Sequence, residues 1–102
     1  MDEKRKSLRT SVNLKVIFMG DSMNYSRGKV NNISKGGMFI QTEFPQDNGM
    51  YILASIDVDN MGQIAWAQGR VVRKADSGMA IEFTRTDTRG IDSIISNWGM
   101  PY

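Results

Sequence analysis

The stretch Val12-Asn13-Leu14-Lys15-Val16-Ile17-Phe18 places an apolar residue at every second position. Successive side chains of a strand point to opposite faces of the sheet, so this period of two predicts a strand with one buried face. The buried face carries Val12 and every second residue up to Phe18, while Asn13 and Lys15 lie on the other face. The chain therefore begins its folded part with a half-buried strand, the kind that is common in antiparallel sheets.

The same periodicity, interrupted by turn residues, predicts five further strands toward the C-terminus. They run from Tyr25 to Asn31, Met38 to Thr42, Ile52 to Val58, Gln63 to Lys74 and Met79 to Phe83. The connections between them are rich in Gly, Asp, Asn and Pro, residues that are suited to turns; they are 20–24, 45–49, 59–62 and 75–78. Gly69, inside the long fifth strand, predicts a bend or bulge.

The period changes only near the C-terminus, where an apolar residue recurs at helical spacing in Ile91, Ile94, Ile95 and Trp98. This stripe predicts one short helix with a single buried face. We expect Thr84 or Thr86 to cap its start, Asp87 to lie in its first turn and Gly99 to end it. Gly90 inside the helix costs about 1 kcal/mol relative to Ala, so the helix should depend on docking against the sheet.

Six short antiparallel strands bury their apolar faces most simply by closing on themselves. A closed barrel also leaves few strand edges exposed. The predicted fold class is therefore all-β: a small six-stranded antiparallel β-barrel with a flexible basic N-terminal arm over residues 1–11. Residues 12–102 form the barrel and the C-terminal α-helix, so the chain is a single domain.

Composition narrows the classes of function. The chain has 102 residues with no Cys and no His, which removes disulfides, thiol nucleophiles, the usual zinc sites and the commonest general base. We expect no enzyme, no metal and no cofactor. No apolar run is long enough to span a bilayer, and the N-terminus is charged where a signal peptide would be apolar. The protein is therefore predicted to be cytoplasmic, without membrane insertion.

Charge is distributed unevenly along the chain. Residues 1–40 carry eight basic and three acidic residues, a net +5, whereas residues 41–102 carry five basic and eight acidic residues, a net −3. The positive half attracts an anionic partner. A solvated basic segment with no specific ligand is the alternative interpretation.

Two short motifs lie in the positive half. Arg5 and Arg9 form RxxxR, and Asn32, Ser34 and Gly37 form NxSxxG. A guanidinium offers a planar fork of donors that fits phosphate and the O6 and N7 acceptors of guanine. The second motif supplies short polar side chains beside bare backbone.

The two motifs, in this order around the predicted strands, resemble those of the PilZ domain, a bacterial receptor module for the second messenger cyclic di-GMP. The segments Gly69-Arg70-Val71-Val72-Arg73 and Gly78-Met79-Ala80-Ile81-Glu82-Phe83 look like the fifth and sixth strands of that family. The likeness runs from about Glu3 to Trp98. It implies a basic arm, a six-stranded barrel, NxSxxG after the second strand and a C-terminal helix.

The resemblance also implies roles for individual residues. Arg5 and Arg9 would hold phosphate and guanine, Asn32 would bond a guanine edge, Ser34 would offer its hydroxyl, and Gly37 would let the ligand or the arm approach the backbone. Secondary candidates are Lys4, Gly36 and Arg73. Lys4 stands where the family commonly has Arg, and a Lys gives attraction without the fork.

Each motif residue also has a purely structural interpretation. Arg5 and Arg9 would then be surface charge, and Asn32 and Ser34 would bond their own backbone in a turn. Gly37 would be a turn residue with positive φ. Gly36 is better explained as structural than as ligand-binding.

Four other side chains have alternative interpretations. Arg85 and Arg89 repeat the RxxxR spacing, but we place them at the start of the helix and interpret them as solvated charge. Arg73 would stack on a guanine or be strand-surface charge. Trp66, between two Ala residues, is interpreted as a packing residue rather than a base-stacking one.

The leading hypothesis is a non-enzymatic cyclic di-GMP receptor that changes conformation on binding and regulates an unidentified downstream protein in motility, biofilm or exopolysaccharide processes. One alternative is a PilZ-like adaptor that binds no nucleotide. Another is a small nucleic-acid-binding barrel, but its aromatic residues would interleave with basic ones along a sheet face, and here they are scattered. No DNA or RNA partner is therefore expected.

Overall fold

Six antiparallel strands close into a barrel, and one helix follows the last strand. The computed structural model describes residues 9–20, 24–58 and 62–98. The elements are β1 Thr10–Met19, β2 Tyr25–Ile33, β3 Gly37–Gln41, β4 Tyr51–Asp57, β5 Ile64–Ala75, β6 Gly78–Thr86 and α1 Thr88–Trp98. The strand order around the barrel is β1-β2-β3-β6-β5-β4. The predicted six-stranded antiparallel barrel with a C-terminal helix is confirmed. Residues 1–8 of the predicted arm lie outside the described residues, and β1 begins at Thr10, inside the arm predicted over 1–11.

Alternation along the strands fills the barrel. Val12, Leu14, Val16 and Phe18 are all buried, while the residues between them face outward. Each of the other five strands adds inward-facing residues to the same core, and α1 adds Ile91 and Ile94. Burial of each large aliphatic side chain contributes about 1.5–3 kcal/mol, so the closed core is what stabilises strands this short.

β-Bulges shift the pairing register of the strands at several positions. The registers shift between Ser11 and Leu14 in β1, between Val30 and Asn32 in β2, and between Val71 and Arg73 in β5. A register shift also lies at Gly69, where an irregularity was predicted, but the extra residue there is Thr84 of β6. A Cβ on Gly69 would lie 2.5 Å from the carbonyl oxygen of Glu82. An extra residue in one strand shifts which side chains face each other across the sheet.

The helix is where the sequence predictions fail in detail. Its N-cap is Asp87, whose Oδ1 accepts a bond from the Gly90 N–H at 3.1 Å. Thr84 and Thr86 do not cap it, because β6 continues to Thr86 and pairs there with β5. Asp87 is the cap and not a first-turn residue.

The helix docks across β1 and β5 through part of its predicted stripe. Ile91 and Ile94 are buried and Ile95 packs against the core, but Trp98 is 45% exposed, so its predicted burial is wrong. A Cβ on Gly90 would lie 2.6 Å from that of Ala65. Gly90 therefore permits the close helix-to-strand approach on which docking depends.

Candidate ligand-binding site

Arg9 connects the two motifs directly. Its Nη1 donates a hydrogen bond to Oδ1 of Asn32 at 2.5 Å. Arg9 is exposed and Asn32 is half-buried, at the end of β2. Arg9 of RxxxR thus lies beside Asn32 of NxSxxG at one end of the barrel; Arg5 and Lys4 lie outside the described residues.

Ser34 holds the turn that follows β2. It is only 6% exposed. Its N–H donates to the carbonyl of Gly37 at 2.8 Å, and its hydroxyl oxygen accepts from the N–H of Gly36 at 3.2 Å. The Ser34 hydroxyl also donates to the Gly37 carbonyl, but the two oxygens are 3.5 Å apart, at the outer limit of hydrogen bonding, so a ligand atom that reached Ser34 would compete with a weak contact.

The two glycines of this turn have different surroundings. Gly37 is buried, is not among the glycines of positive φ, and pairs with Glu82 of β6. A Cβ on Gly37 would lie 2.2 Å from the carbonyl oxygen of Ile81, whereas a Cβ on Gly36 would meet nothing within 4 Å. The interpretation of Gly37 as a positive-φ turn residue is wrong: it is bare because β6 approaches closely. Gly36 has the open face.

The Gly36 turn is tied to β6 as well. Its carbonyl accepts a hydrogen bond from the N–H of Phe83 at 2.9 Å. The turn is thus fixed by bonds from Ser34 on one side and from β6 on the other. A backbone held in this way loses little conformational freedom when a ligand binds to it.

Cross-strand pairing aligns a row of residues on the outer surface beside this turn. Ser11 of β1 faces Asn32, Asn32 faces Phe39, Phe39 faces Ala80, and Ala80 faces Arg73 of β5. We call this set the outer row. Neighbouring strands are about 4.8 Å apart, so Asn32 and Arg73 are separated by roughly 14 Å.

Phe39 is the site residue that sequence reasoning missed. The guanidinium carbon of Arg73 lies 5.8 Å from the centroid of the Phe39 ring. That ring also lies over bare backbone, since a Cβ on Gly78 would be 2.7 Å from one of its carbons. The signal was present: Phe39 lies between the buried Met38 and Ile40 and so must face outward.

Charge on this surface is predominantly positive. Arg9, Lys35 and Arg73 are all exposed around the outer row. The neighbouring carboxylate, Glu82, is paired with Arg70 at 3.3 Å. Cations near a flat aromatic ring, with a polar turn beside them, form a surface suited to an anion that carries planar bases.

The remaining sequence candidates lie elsewhere. Trp66 is 40% exposed on the outer face of β5, so its interpretation as a packing residue is wrong. It is seven residues from Arg73 along β5, about 23 Å at strand rise, too far to share a ligand with the outer row. Arg85 lies in β6 and not at the start of the helix as predicted, and both Arg85 and Arg89 are exposed.

Nothing in the described ranges suggests a metal centre or a membrane helix. Across 9–20, 24–58 and 62–98, no group of three His, Cys, Asp or Glu residues is placed to hold a metal ion. Within the same ranges no helix has the length and apolar character to cross a membrane.

Comparison with solved structures finds the same fold at low sequence identity, and PilZ domains are among the matches. The PilZ domain of Escherichia coli YcgR, solved with cyclic di-GMP, superposes with a TM-score of 0.76 at 16% identity, covering 95% of this chain and 92% of that one. The PilZ domain of CeSA from a cellulose-synthesizing bacterium gives 0.70 at 16%, covering 91% and 96%. Bacillus subtilis MotI/DgrA, an inhibitor of motility, gives 0.75 at 17%, covering 94% of this chain but 50% of that one.

Comparison with curated proteins finds no match. The model of the PilZ domain family, however, matches residues 3–96, which is most of the chain. This match, together with the six-stranded barrel, establishes the family. The chain belongs to the PilZ domain family.

Proposed function

We propose that this chain is a non-catalytic, cytoplasmic receptor for cyclic di-GMP. The observation that carries the proposal is the hydrogen bond from Arg9 to Asn32, because it joins one residue of RxxxR to one residue of NxSxxG. Membership of the family and the cyclic di-GMP-bound YcgR domain support the choice of ligand.

In this proposal the nucleotide lies along the outer row beside the Gly36 turn. Arg9 and Arg5 hold phosphate and the O6 and N7 acceptors of one guanine, and Asn32 bonds a guanine edge. Arg73, held against Phe39, stacks on the second base. Gly36 lets the ligand lie close to backbone. The bond between Arg9 and Asn32 then has to open or be shared, since the ligand competes for both side chains.

Regulation follows from the position of Arg5 and Arg9 ahead of β1. A ligand that bridges these residues to the barrel would fix the arm and change the surface offered to a partner protein. Trypsin cleavage after Lys4, Arg5 and Lys6 should therefore slow when cyclic di-GMP is added. Unchanged cleavage at saturating ligand would contradict this step.

Isothermal titration calorimetry with cyclic di-GMP tests the receptor itself. Charge-assisted hydrogen bonds contribute about 1.5–3 kcal/mol, so Arg9→Ala should weaken binding by about tenfold or more. The chain supplies a matched control: Arg85→Ala with Arg89→Ala removes the same spacing of charge elsewhere and should leave the affinity within about twofold.

Absence of binding by the unsubstituted protein up to about a millimolar would leave only ~4 kcal/mol for any complex and would reject the receptor. The adaptor that binds no nucleotide would then be the better assignment. Equal losses from the Arg9 and Arg85/Arg89 variants would show attraction by charge alone, without a specific site.

A further inference from the structure

Large apolar side chains are exposed on the outer side of β1, β4 and β5. Ile17 is 45% exposed, Leu53 42%, Ile64 52% and Trp66 40%. The outward face of a small soluble barrel is ordinarily polar, and contiguous apolar surface on it marks an interaction site. We call this surface the β1–β4–β5 face.

These side chains are contiguous because the strands are paired in register. Ser55 of β4 faces Ile17 on one side and Trp66 on the other. Leu53 faces Met19 of β1, and Ile64 faces Asp57. The small Ser55 between two large neighbours leaves a notch, and a groove of about 460 Å³ runs there, lined by Ile17, Ser55 and Ile64.

Basic residues border the same groove. Lys15 and Arg27 line it together with one acidic residue, Asp57. Arg27 of β2 faces Ile17 of β1. Two residues farther along the same face, Lys15 of β1 faces Lys29 of β2. An apolar groove with this border is complementary to an apolar side chain flanked by carboxylates.

We propose that the β1–β4–β5 face docks an acidic amphipathic segment of a partner protein. An apolar side chain of that segment enters the notch above Ser55, and its carboxylates lie against Lys15 and Arg27. The surface is distinct from the outer row, to which Trp66 does not reach. The inference rests on the proposed function only in giving the regulated partner a place to bind, and its test contains no nucleotide.

Two other occupants fit the observations less well. A second copy of this chain, docked by the same face about a two-fold axis, would bring a basic border of Lys15, Arg27 and Lys29 close to the same basic border on its partner. An anionic lipid surface would be attracted by the bases, but it would meet Asp57 in the groove, and a flat bilayer surface leaves a notch unfilled.

Trp66 provides a direct readout of docking. The chain has two Trp residues, so Trp98→Phe leaves Trp66 as the only one. The probe is a synthetic helical peptide with Leu at i, i+3, i+4 and i+7 on one face and Glu on the other. Docking should shift the emission of Trp66 to shorter wavelength and protect it from acrylamide quenching, and added salt should weaken the binding.

Matched variants separate this surface from general apolar contact. Ile17→Lys and Arg27→Glu, each in the Trp98→Phe background, should weaken peptide binding at least tenfold. Val72→Lys should not, although Val72, at 46%, is as exposed as Ile17. Melting temperature and circular dichroism check that each variant is folded.

The proposal is overturned if the peptide produces no shift up to about a millimolar, or if a scrambled peptide of the same composition binds equally well. It is also overturned if vesicles of phosphatidylglycerol, and not the peptide, shift the emission, or if the shift follows protein concentration alone. These outcomes would assign the face to lipid or to a second copy. None depends on whether the chain binds cyclic di-GMP.

Discussion

Single residues of NxSxxG, at the turn between β2 and β3, differ in what they contact. In NxSxxG, Asn32 is available to Arg9 and to solvent, while Ser34 and Gly37 build the turn and its contact with β6. In the proposed receptor Ser34 and Gly37 therefore also act by holding the turn in place. Gly37 is required by the carbonyl of Ile81, and Gly36 leaves room in front of the backbone.

Substitution of the two glycines by Ala should separate these duties. In Gly37→Ala the new Cβ meets backbone that cannot rotate away, so we expect the free energy of unfolding to fall by about 1–3 kcal/mol or more. In Gly36→Ala the Cβ enters open space, and stability should change by no more than about 0.5 kcal/mol. Urea unfolding measures both. Similar stability for the two variants would show that β6 does not constrain Gly37.

At the level of elements, periodicity was enough to place all six strands and the helix, because alternation and the helical stripe record which residues are buried. Element ends were harder to predict. Thr86 was predicted as a possible cap, yet it lies in β6 and pairs with Ala67 of β5. Pairing with a neighbouring strand is not visible in a local sequence. The alignment of Phe39 with Arg73 was equally hidden, because it depends on the register shift between Val71 and Arg73 in β5.

The cap of α1 gives a prediction at this scale. Asp87→Ala removes the acceptor for the Gly90 N–H and should lower the free energy of unfolding by about 1 kcal/mol, while Asp87→Asn keeps an acceptor and should cost less. Thr86→Ala is the control, since Thr86 lies in β6. Thermal unfolding followed by circular dichroism makes the comparison. A larger loss from Thr86→Ala than from Asp87→Ala would return the cap to Thr86.

For the whole molecule, barrel closure determines which charges act together. Arg9 comes from the positive half of the sequence and Arg73 from the negative half, yet closure places them toward opposite ends of one outer row. Charge counted along the chain identified the first and gave no reason to select the second. The proposed binding surface is thus a property of strand order and register.

If one cyclic di-GMP spans this row, Arg9 and Arg73 each contact a different part of it. Their separation, more than 10 Å across the strands, makes their contributions to the binding free energy additive. We expect Arg9→Ala and Arg73→Ala each to weaken binding by about tenfold, and the double variant by about a hundredfold. Calorimetric titration of the four proteins measures this. Unchanged affinity in Arg73→Ala would confine the ligand to the part of the outer row beside the turn between β2 and β3. A double variant that binds no more weakly than Arg9→Ala would show that both arginines act on a single contact.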